Sequence, residues 1–531
     1  MIIDARHAEP NWDHPFDICV IGAGAAGITL ALEFAKNRQL QVLVLEAGGL
    51  HYDKSTQALF DGDRVGDTHP QLKRARLAAL GGSTQLWAGW CRPLDAYDFE
   101  PKDWVPNSGW PLSFQELEPY YGRANEVCGL GPADYRLSHW RDHLQGNPLL
   151  KNTEVVNRVF QVRRIRFNEI YADTLAKATN IHLVMNTPVK RLVSASADHL
   201  ISVVEVVPPG KPPRQVGAKQ VVLAAGGLEN PRLLLLSGES PERAIGNQFD
   251  VVGRYFTEHG FVDSGWFIPT NQKQDMQFYF PVPHPDPSHG FVRPVLSLAP
   301  EVLAREKLLN AAVFFYPGYE SHQVFSHPGV KAALELWEVT KKRAIPGEWS
   351  RLMSTALSAP HHIVHALIRR KWISNAPRAR WRLRSYYECI PSPDNRITLT
   401  QDKDPLGRPK MCLNWRLKDQ DLDSADRFHR YLSRCLETEN KGCLVLPADL
   451  EQWRQATESG KHPMGTTRMH ENPRQGVVDR HCRVHGTANL YVAGSSVFPT
   501  VGYANPTLTL VALTIRLADH LIQLLQKTET S

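Results

Sequence analysis

The stretch "FDICVIGAGAAGITLALEFAKNRQLQVLVLEAGG", Phe16 to Gly49, constrains the fold of this chain more than any other. Ile18 to Ile21 is a short apolar run with strand character. Ile28 to Lys36 reads as a helix, and Gln41 to Leu45 as a second strand ending on Glu46. Gly22, Gly24 and Gly27 stand between the first strand and the helix in the spacing G-x-G-x-x-G. Gly22 permits the tight turn, Gly24 lets a pyrophosphate approach the backbone, and Gly27 lets helix pack closely on strand. The helix start offers free N–H groups and the positive end of its dipole to phosphates. Glu46, nineteen residues after the third glycine, can accept hydrogen bonds from ribose hydroxyls. A dinucleotide-binding α/β unit is therefore predicted. An acid rather than Arg at position 46 argues against a 2′-phosphate, and so against NADP. FAD and NAD remain.

A length of 531 residues leaves room for two or three domains, or for one large intertwined unit. A hydrophobic share of 42% with 22% charged residues describes a globular chain. The net charge of +6 is modest at this size, and no dense basic stripe accompanies it, which excludes a dedicated nucleic-acid binder. Eight cysteines (19, 91, 128, 389, 412, 435, 443 and 482) form no C-x-x-C pair; reduced, mostly buried thiols and a cytoplasmic location are expected. "MIIDARHAEPNWDHPFD" lacks the charge and apolar pattern of a signal peptide. No unbroken run of about twenty apolar residues predicts a bilayer span. Neither G-x-S-x-G nor G-x-x-x-x-G-K-[ST] occurs, which disfavours serine-hydrolase and phosphate-loop chemistry.

Two later segments favour FAD over NAD. "AKQVVLAAGGLENPRLLLLS" reads as a strand, Val221 to Ala225, then Gly226-Gly227, then a helix. "NLYVAGSSVFPT" is another strand, Leu490 to Ala493, that breaks into a turn of small residues. Strands that end on small residues in a nucleotide-binding sheet leave room for cofactor atoms. An NAD site closes within one compact unit, whereas these candidate loops span nearly the whole chain.

Several stretches together resemble the glucose–methanol–choline (GMC) family of FAD-dependent oxidoreductases. They are "DICVIGAGAAG", "LGGSTQLWAG" (Leu80–Gly89), "LAAGGLENPRLLLLSG", "VGRYFTEHG" (Val252–Gly260) and the C-terminal "HPMGTTRM", "GVVDRHCRVHGTANLYVAGSSVFPT" and "NPTLT", with "YECIPSPDNRITLT" (Tyr387–Thr400) a weaker sixth. They occur in family order along almost the entire chain. "WCRPLDAYDF" and "TLTLVALTIRLADHL" resemble bacterial sugar- or glycoside-type members. The resemblance implies an α/β fold in which a doubly wound, Rossmann-like FAD domain is intertwined with an α+β substrate domain built on an antiparallel sheet. Residues 12–94, 151–260 and 455–531 would form the FAD domain, 95–150 a lid or substrate-domain segment, and 261–454 the substrate domain. Within it, "SYYECIP" and "NRITLT" read as strands joined by the turn "PSPDN". "SFQELEPYYGRANEVCG" reads as a helix, with Ser113 and Glu116 forming a capping box and Gly129 at its end.

The resemblance also implies site residues. FAD would lie along Gly81, Gly82, Ser83, Thr84, Trp87, Ala88 and Gly89, with Ala25 and Ala26 of the first turn. Val189, Ala225 and Gly226 would meet it from the middle of the chain, and Gly494, Ser495, Asn505, Pro506 and Thr507 from the C-terminal part. In the family, the His of an H-x-x-G-T-like segment is the base or hydrogen-bond partner of an alcohol, and a His or Asn lies near the start of the last helix. Here these are His462 and Asn505. A neutral amide both donates and accepts, so Asn505 can hold an alcohol oxygen without titrating. Pro506 suits the first turn of the helix that follows. Some relatives bind FAD covalently through a His in the second stretch. Leu80 to Asp95 contains none, with Gln85 near its place, so non-covalent FAD is expected. Trp87 and Trp90 would flank flavin or substrate, or simply pack. Several relatives end the last strand on Asp where Gly494 stands here.

The implied reaction is oxidation of CH–OH to C=O on a sugar, glycoside or polyol: His462 takes the hydroxyl proton, Asn505 holds the oxygen, and flavin N5 accepts the hydride. Alternatives are a dehydrogenase subunit that passes electrons to a protein or quinone, and a family-related lyase or decarboxylase. The electron acceptor (oxygen, a quinone or a protein) is not legible. No metal site is expected. His361 and His365 are spaced as zinc ligands would be but lack a third ligand, and His481, Cys482 and His485 are assigned to packing. Residues 301–384 match no motif. Their basic part reads as a solvated helical face, with a membrane surface or an anionic substrate as the second choice.

Overall fold

The computed structural model describes residues 1–67, 69–194, 200–271, 273–317 and 380–529. The N-terminal pattern folds as its periodicity predicts. The strands Phe16–Ile21 and Val42–Leu45 are buried throughout, and helix α1, Ala25–Ala35, joins them. They lie in a six-stranded, all-parallel sheet of order Ile2–Asp4, Ile181–Met185, Val42–Leu45, Phe16–Ile21, Ala218–Leu223, Leu490–Val492. Near-continuous Val, Ile and Leu in its central strands reflect burial on both faces. The chain thus leaves this sheet and returns to it three times. Its edge strand Ile2–Asp4 extends the sheet upstream of residue 12, the expected start of this part. Helix α2, Gly226–Leu235, follows one parallel strand directly.

A second sheet of nine strands is antiparallel. Its main path runs Gly442–Val445, Gly260–Pro269, Trp381–Tyr387, Ala311–Pro317, Phe291–Leu298, Val155–Val162, Trp90–Cys91. Trp381, Leu383, Ser385 and Tyr387 are buried and alternate with half-buried residues, the period-two signature of a sheet covered on one face. Helix α3, Asp419–Thr438, buries Leu422, Ala425, Phe428, Leu432 and Leu436 at helical spacing within the same core.

Three expectations are corrected. Trp90–Cys91 and Val155–Val162 belong to the antiparallel sheet, although the boundaries 12–94 and 151–260 assigned them to the nucleotide-binding part. Pairing of Val155 to Val162 with Leu298 to Phe291 decides the matter. The strands in "SYYECIP" and "NRITLT" do form, but in different sheets: Arg396–Lys403 pairs with Pro409–Trp415, so "PSPDN" closes no hairpin. The helix read from Ser113 to Gly129 starts at the expected Ser113–Glu116 capping box but breaks at Pro119 into Phe114–Leu117 and Tyr121–Val127, because proline cannot supply the next helical N–H. His361, His365 and most of the basic stretch lie outside the described residues.

Helix α4, Thr507–Glu529, closes the chain. By length and composition its Thr507–Lys527 portion is apolar enough to cross a membrane (mean hydropathy 1.5), yet 61% of that window is buried inside the protein. Its Leu508, Val511 and Ile515 share a core with Leu30 and Phe34 of α1.

Candidate active site

A cavity of about 660 Å³ draws its walls from nearly every segment named by sequence. Gly22, Gly24, Ala25, Ala26 and Glu46 line it, as do Gly82, Ser83, Thr84, Trp87, Ala88 and Gly89. So do Val189, Ala225 and Gly226, and His462 with Gly494, Ser495, Asn505, Pro506 and Thr507. Gly27 and Gly81 do not face it. A Cβ on Gly27 would stand 1.8 Å from the Gly22 carbonyl oxygen, so its task is close helix–strand contact. Gly81 donates its N–H to the Ala23 carbonyl at 2.8 Å and ties the second glycine loop to the first from behind.

One part of this wall suits a dinucleotide. Helix α1 begins at Gly24 with no side-chain cap and no acid in its first turn, so its N–H groups are left for an anion. A Cβ placed on Gly24 or Gly226 would meet no protein atom within 4 Å, which leaves space for a ligand against the backbone. Glu46 accepts from the Ala23 N–H at 2.8 Å and from the Gly48 N–H at 2.9 Å. Each carboxylate oxygen keeps a second lone pair for a hydroxyl donor. Burial pushes its carboxyl above the usual range, while those backbone amides pull the other way. Arg76, Arg408 and Glu229 also line the cavity. Arg76 pairs with Glu229 at 2.8 Å, and Arg232 and Arg408 share Asp404. Three guanidinium groups against two carboxylates leave a positive surplus that suits a diphosphate. These donors fit FAD.

Elsewhere on the wall, His462 and Asn505, 43 residues apart in sequence, come together. Asn505 Nδ2 is 3.2 Å from His462 Nε2. The other ring nitrogen, Nδ1, is 3.1 Å from Nδ1 of His259, whose Nε2 lies 3.3 Å from the Val501 carbonyl oxygen. Desolvation, reinforced by the neighbouring His259 ring, pushes His462 down to about 3, and burial pushes His259 down to about 4. Both rings are therefore neutral at physiological pH. Tyr386, Trp90 and Lys461 line the cavity beside them, and the Tyr386 ring centroid is 6.2 Å from that of His462. Trp90, Phe314, Tyr386 and Phe261 form a continuous run of ring contacts with centroids 4.8 to 5.8 Å apart.

Sequence reasoning did not single out His259, Tyr386, Lys461, Arg76 or Arg408. His259 lies inside the quoted "VGRYFTEHG", so a His at the end of that stretch was an available signal. His481 stacks on His520 at 4.6 Å, and Cys482 is buried. Trp87 lines the cavity and donates its indole N–H to the Ile165 carbonyl at 2.6 Å.

A parallel nucleotide-binding sheet that shares one cavity with a neutral His–Asn pair defines a flavin-dependent oxidoreductase. A family model described as FAD dependent oxidoreductase matches residues 17–284, and one described as GMC oxidoreductase matches residues 391–514. The chain belongs to the GMC family of FAD-dependent oxidoreductases. It is an FAD-dependent enzyme that oxidises alcohol groups. It is 24% identical to the fructose dehydrogenase large subunit of Gluconobacter japonicus, over 95% of this chain and 97% of that one. It is 23% identical to an oxygen-dependent choline dehydrogenase of Rhizobium etli, over 95% of both. The fold matches pyridoxine 4-oxidase from Mesorbium loti with a TM-score of 0.54 at 17% identity, covering 95% of this chain and 99% of that one.

Proposed function

We propose that the chain oxidises an uncharged, polyhydroxylated alcohol (a sugar, glycoside or polyol) with His462 as the base, Asn505 holding the oxygen, and FAD bound without a covalent link. The observation that carries this is the 3.2 Å His462–Asn505 pair on the same wall as Gly24 and Glu46. Bound FAD supplies the hydride acceptor. His462, held neutral, takes the hydroxyl proton at Nε2. Asn505 donates from Nδ2 to the oxygen as negative charge develops there.

The substrate class rests on charge and surface. Among the described residues lining the cavity, Glu46 and Glu229 are the only carboxylates. The first is held by backbone amides and the second by Arg76. A quaternary cation such as choline would meet Lys461 and no free carboxylate. The C–H face of a sugar such as fructose, named for one relative, can lie on the Trp90 and Tyr386 rings. The non-covalent link rests on the composition of Leu80 to Asp95, which holds no His. Gln85 there donates its side-chain N–H to the Leu80 carbonyl at 2.8 Å. Eight free thiols, six of them buried, suit a cytoplasmic setting.

The test is anaerobic bleaching of the flavin by a panel of sugars, glycosides, polyols, aryl alcohols and choline. Bleaching by polyhydroxylated compounds and not by choline is expected; bleaching by choline alone would overturn the substrate class. Flavin that stays yellow with every alcohol would favour the lyase reading. Re-admitting air, or adding a quinone, then reveals the acceptor. Acid precipitation should release all the yellow colour to the supernatant. His462→Ala should slow flavin reduction by about 100-fold or more while FAD stays bound.

A further inference from the structure

We propose that His259 is a positioning residue that fixes the tautomer of His462, so that Nε2 stays bare toward the cavity. The inference rests on the reading of His462 as the base. Three contacts in series carry it. His259 Nε2 lies 3.3 Å from the Val501 carbonyl oxygen. A carbonyl only accepts, so this nitrogen carries the proton. A neutral imidazole has one N–H, which leaves His259 Nδ1 as a lone pair. It faces His462 Nδ1 at 3.1 Å, and one of the two must donate, so the proton sits on His462 Nδ1. Nε2 of His462 is then unprotonated, and at 3.2 Å the Asn505 amide N–H donates to it until a substrate oxygen takes over that N–H and presents its own proton to Nε2. A chain of single-proton choices thus runs from one backbone carbonyl to the atom that takes the substrate proton. Without an acceptor at position 259, the opposite tautomer becomes accessible, and that tautomer cannot act as a base at Nε2.

The support beneath His259 is firm. It directly precedes the strand Gly260–Pro269. Its neighbour Glu258 is fully buried, lies 3.1 Å from His69 Nε2 and accepts from the Ser459 hydroxyl. Ser459 Oγ in turn accepts the Lys461 N–H at 3.1 Å, and the Gly460 N–H donates to the His259 carbonyl at 3.1 Å. Residues 258 and 259 therefore hold the His462 loop by both backbone and side chains. A Cβ on Gly460 would come within 3.0 Å of the His259 carbonyl oxygen and 3.2 Å of His462 Nδ1, so this contact is built around a glycine.

The experiment uses FAD-loaded protein labelled with nitrogen-15 in histidine, with His462→Ala assigning the His462 signals. The wild type should show a protonated Nδ1 and a bare Nε2. His259→Leu should move proton density to Nε2 and slow flavin reduction roughly ten-fold, part of the ~100-fold or more that a positioned base contributes. His259→Asn, whose side-chain oxygen can accept near the lost Nδ1, should restore most of both. A wild-type His462 with a bare Nδ1 overturns the proposal. So does a His259→Leu protein with the wild-type tautomer and rate, or an Asn variant no better than Leu. If His462→Ala reduces its flavin at the wild-type rate, the base assignment falls, and the ring signals still judge His259 separately.

Discussion

A histidine that works as a base at neutral pH must be kept from taking its proton out of solvent. His462 meets this by enclosure: desolvation first, and then the adjoining His259 ring, hold it near 3 against an ordinary value of 6.5. The sign follows from linkage. An unfolded chain takes up protons on these rings below pH 6.5, whereas the folded one refuses them until about 3 to 4. The pair's contribution to stability is therefore present above pH 6.5 and is lost as pH falls through that window. For the same reason, flavin reduction at saturating substrate should stay level from neutrality down past pH 6.5; an inflection there would mean that the rings are solvated. Asn505→Asp sets a carboxylate beside Nε2 and should raise the proton affinity of His462. Its rate profile should gain an acid limb at higher pH than the wild type, read by stopped-flow absorbance. His462 and Asn505 were legible because their neighbours in sequence carry the family pattern. His259 also sits in a quoted motif, but its role was not legible, because its partner is 203 residues away.

Elements are joined through ion pairs of very different worth. Arg232 of α2 is fully buried and bonds to Asp404, to the Pro409 carbonyl and to the Leu59 carbonyl. It thereby ties the nucleotide-binding helix to the turn beyond Arg396–Lys403. Asp404→Ala leaves the buried Arg408 without its carboxylate and the buried Arg232 with only Glu229 at 3.4 Å, and should cost about 3–5 kcal/mol. Asp519→Ala removes a partner of Arg123 at a site where both side chains are about one-third exposed, and Glu33 remains to pair with that Arg. That change should cost about 1 kcal/mol or less. Equilibrium urea unfolding of the FAD-loaded protein compares the two; equal losses would show that the buried cluster is solvated or redundant. None of this could be read from "GGLENPRLLLL", where Arg232 is one charge in an apolar helix. Local pattern predicted the helix and left its partners open.

At the scale of the molecule, the cavity is the place where the separated segments meet. Its wall includes residues from Ile21 to Leu510, so cofactor binding and global folding are coupled. Removal of FAD should lower the melting temperature, and added FAD should restore it. At a hundred times its Kd, ligand linkage alone contributes about 2.7 kcal/mol. Glu46→Leu removes the carboxylate that faces the cavity and should shrink the shift produced by added FAD; an unchanged shift would take Glu46 out of the cofactor site. What the sequence determined by itself was local or motif-borne: the β-α-β nucleotide unit, the capping box at Ser113, the glycine loops, and the family to which these belong. Such features depend on spacing within one segment, where turn geometry and period suffice. Only the tertiary structure decided that Val155–Val162 joins the antiparallel sheet, that "PSPDN" closes no hairpin, and that His259 stands behind His462. A strand's pattern states that one face is buried but not against which neighbour, and a ring's proton is set by whatever the fold brings within hydrogen-bonding reach.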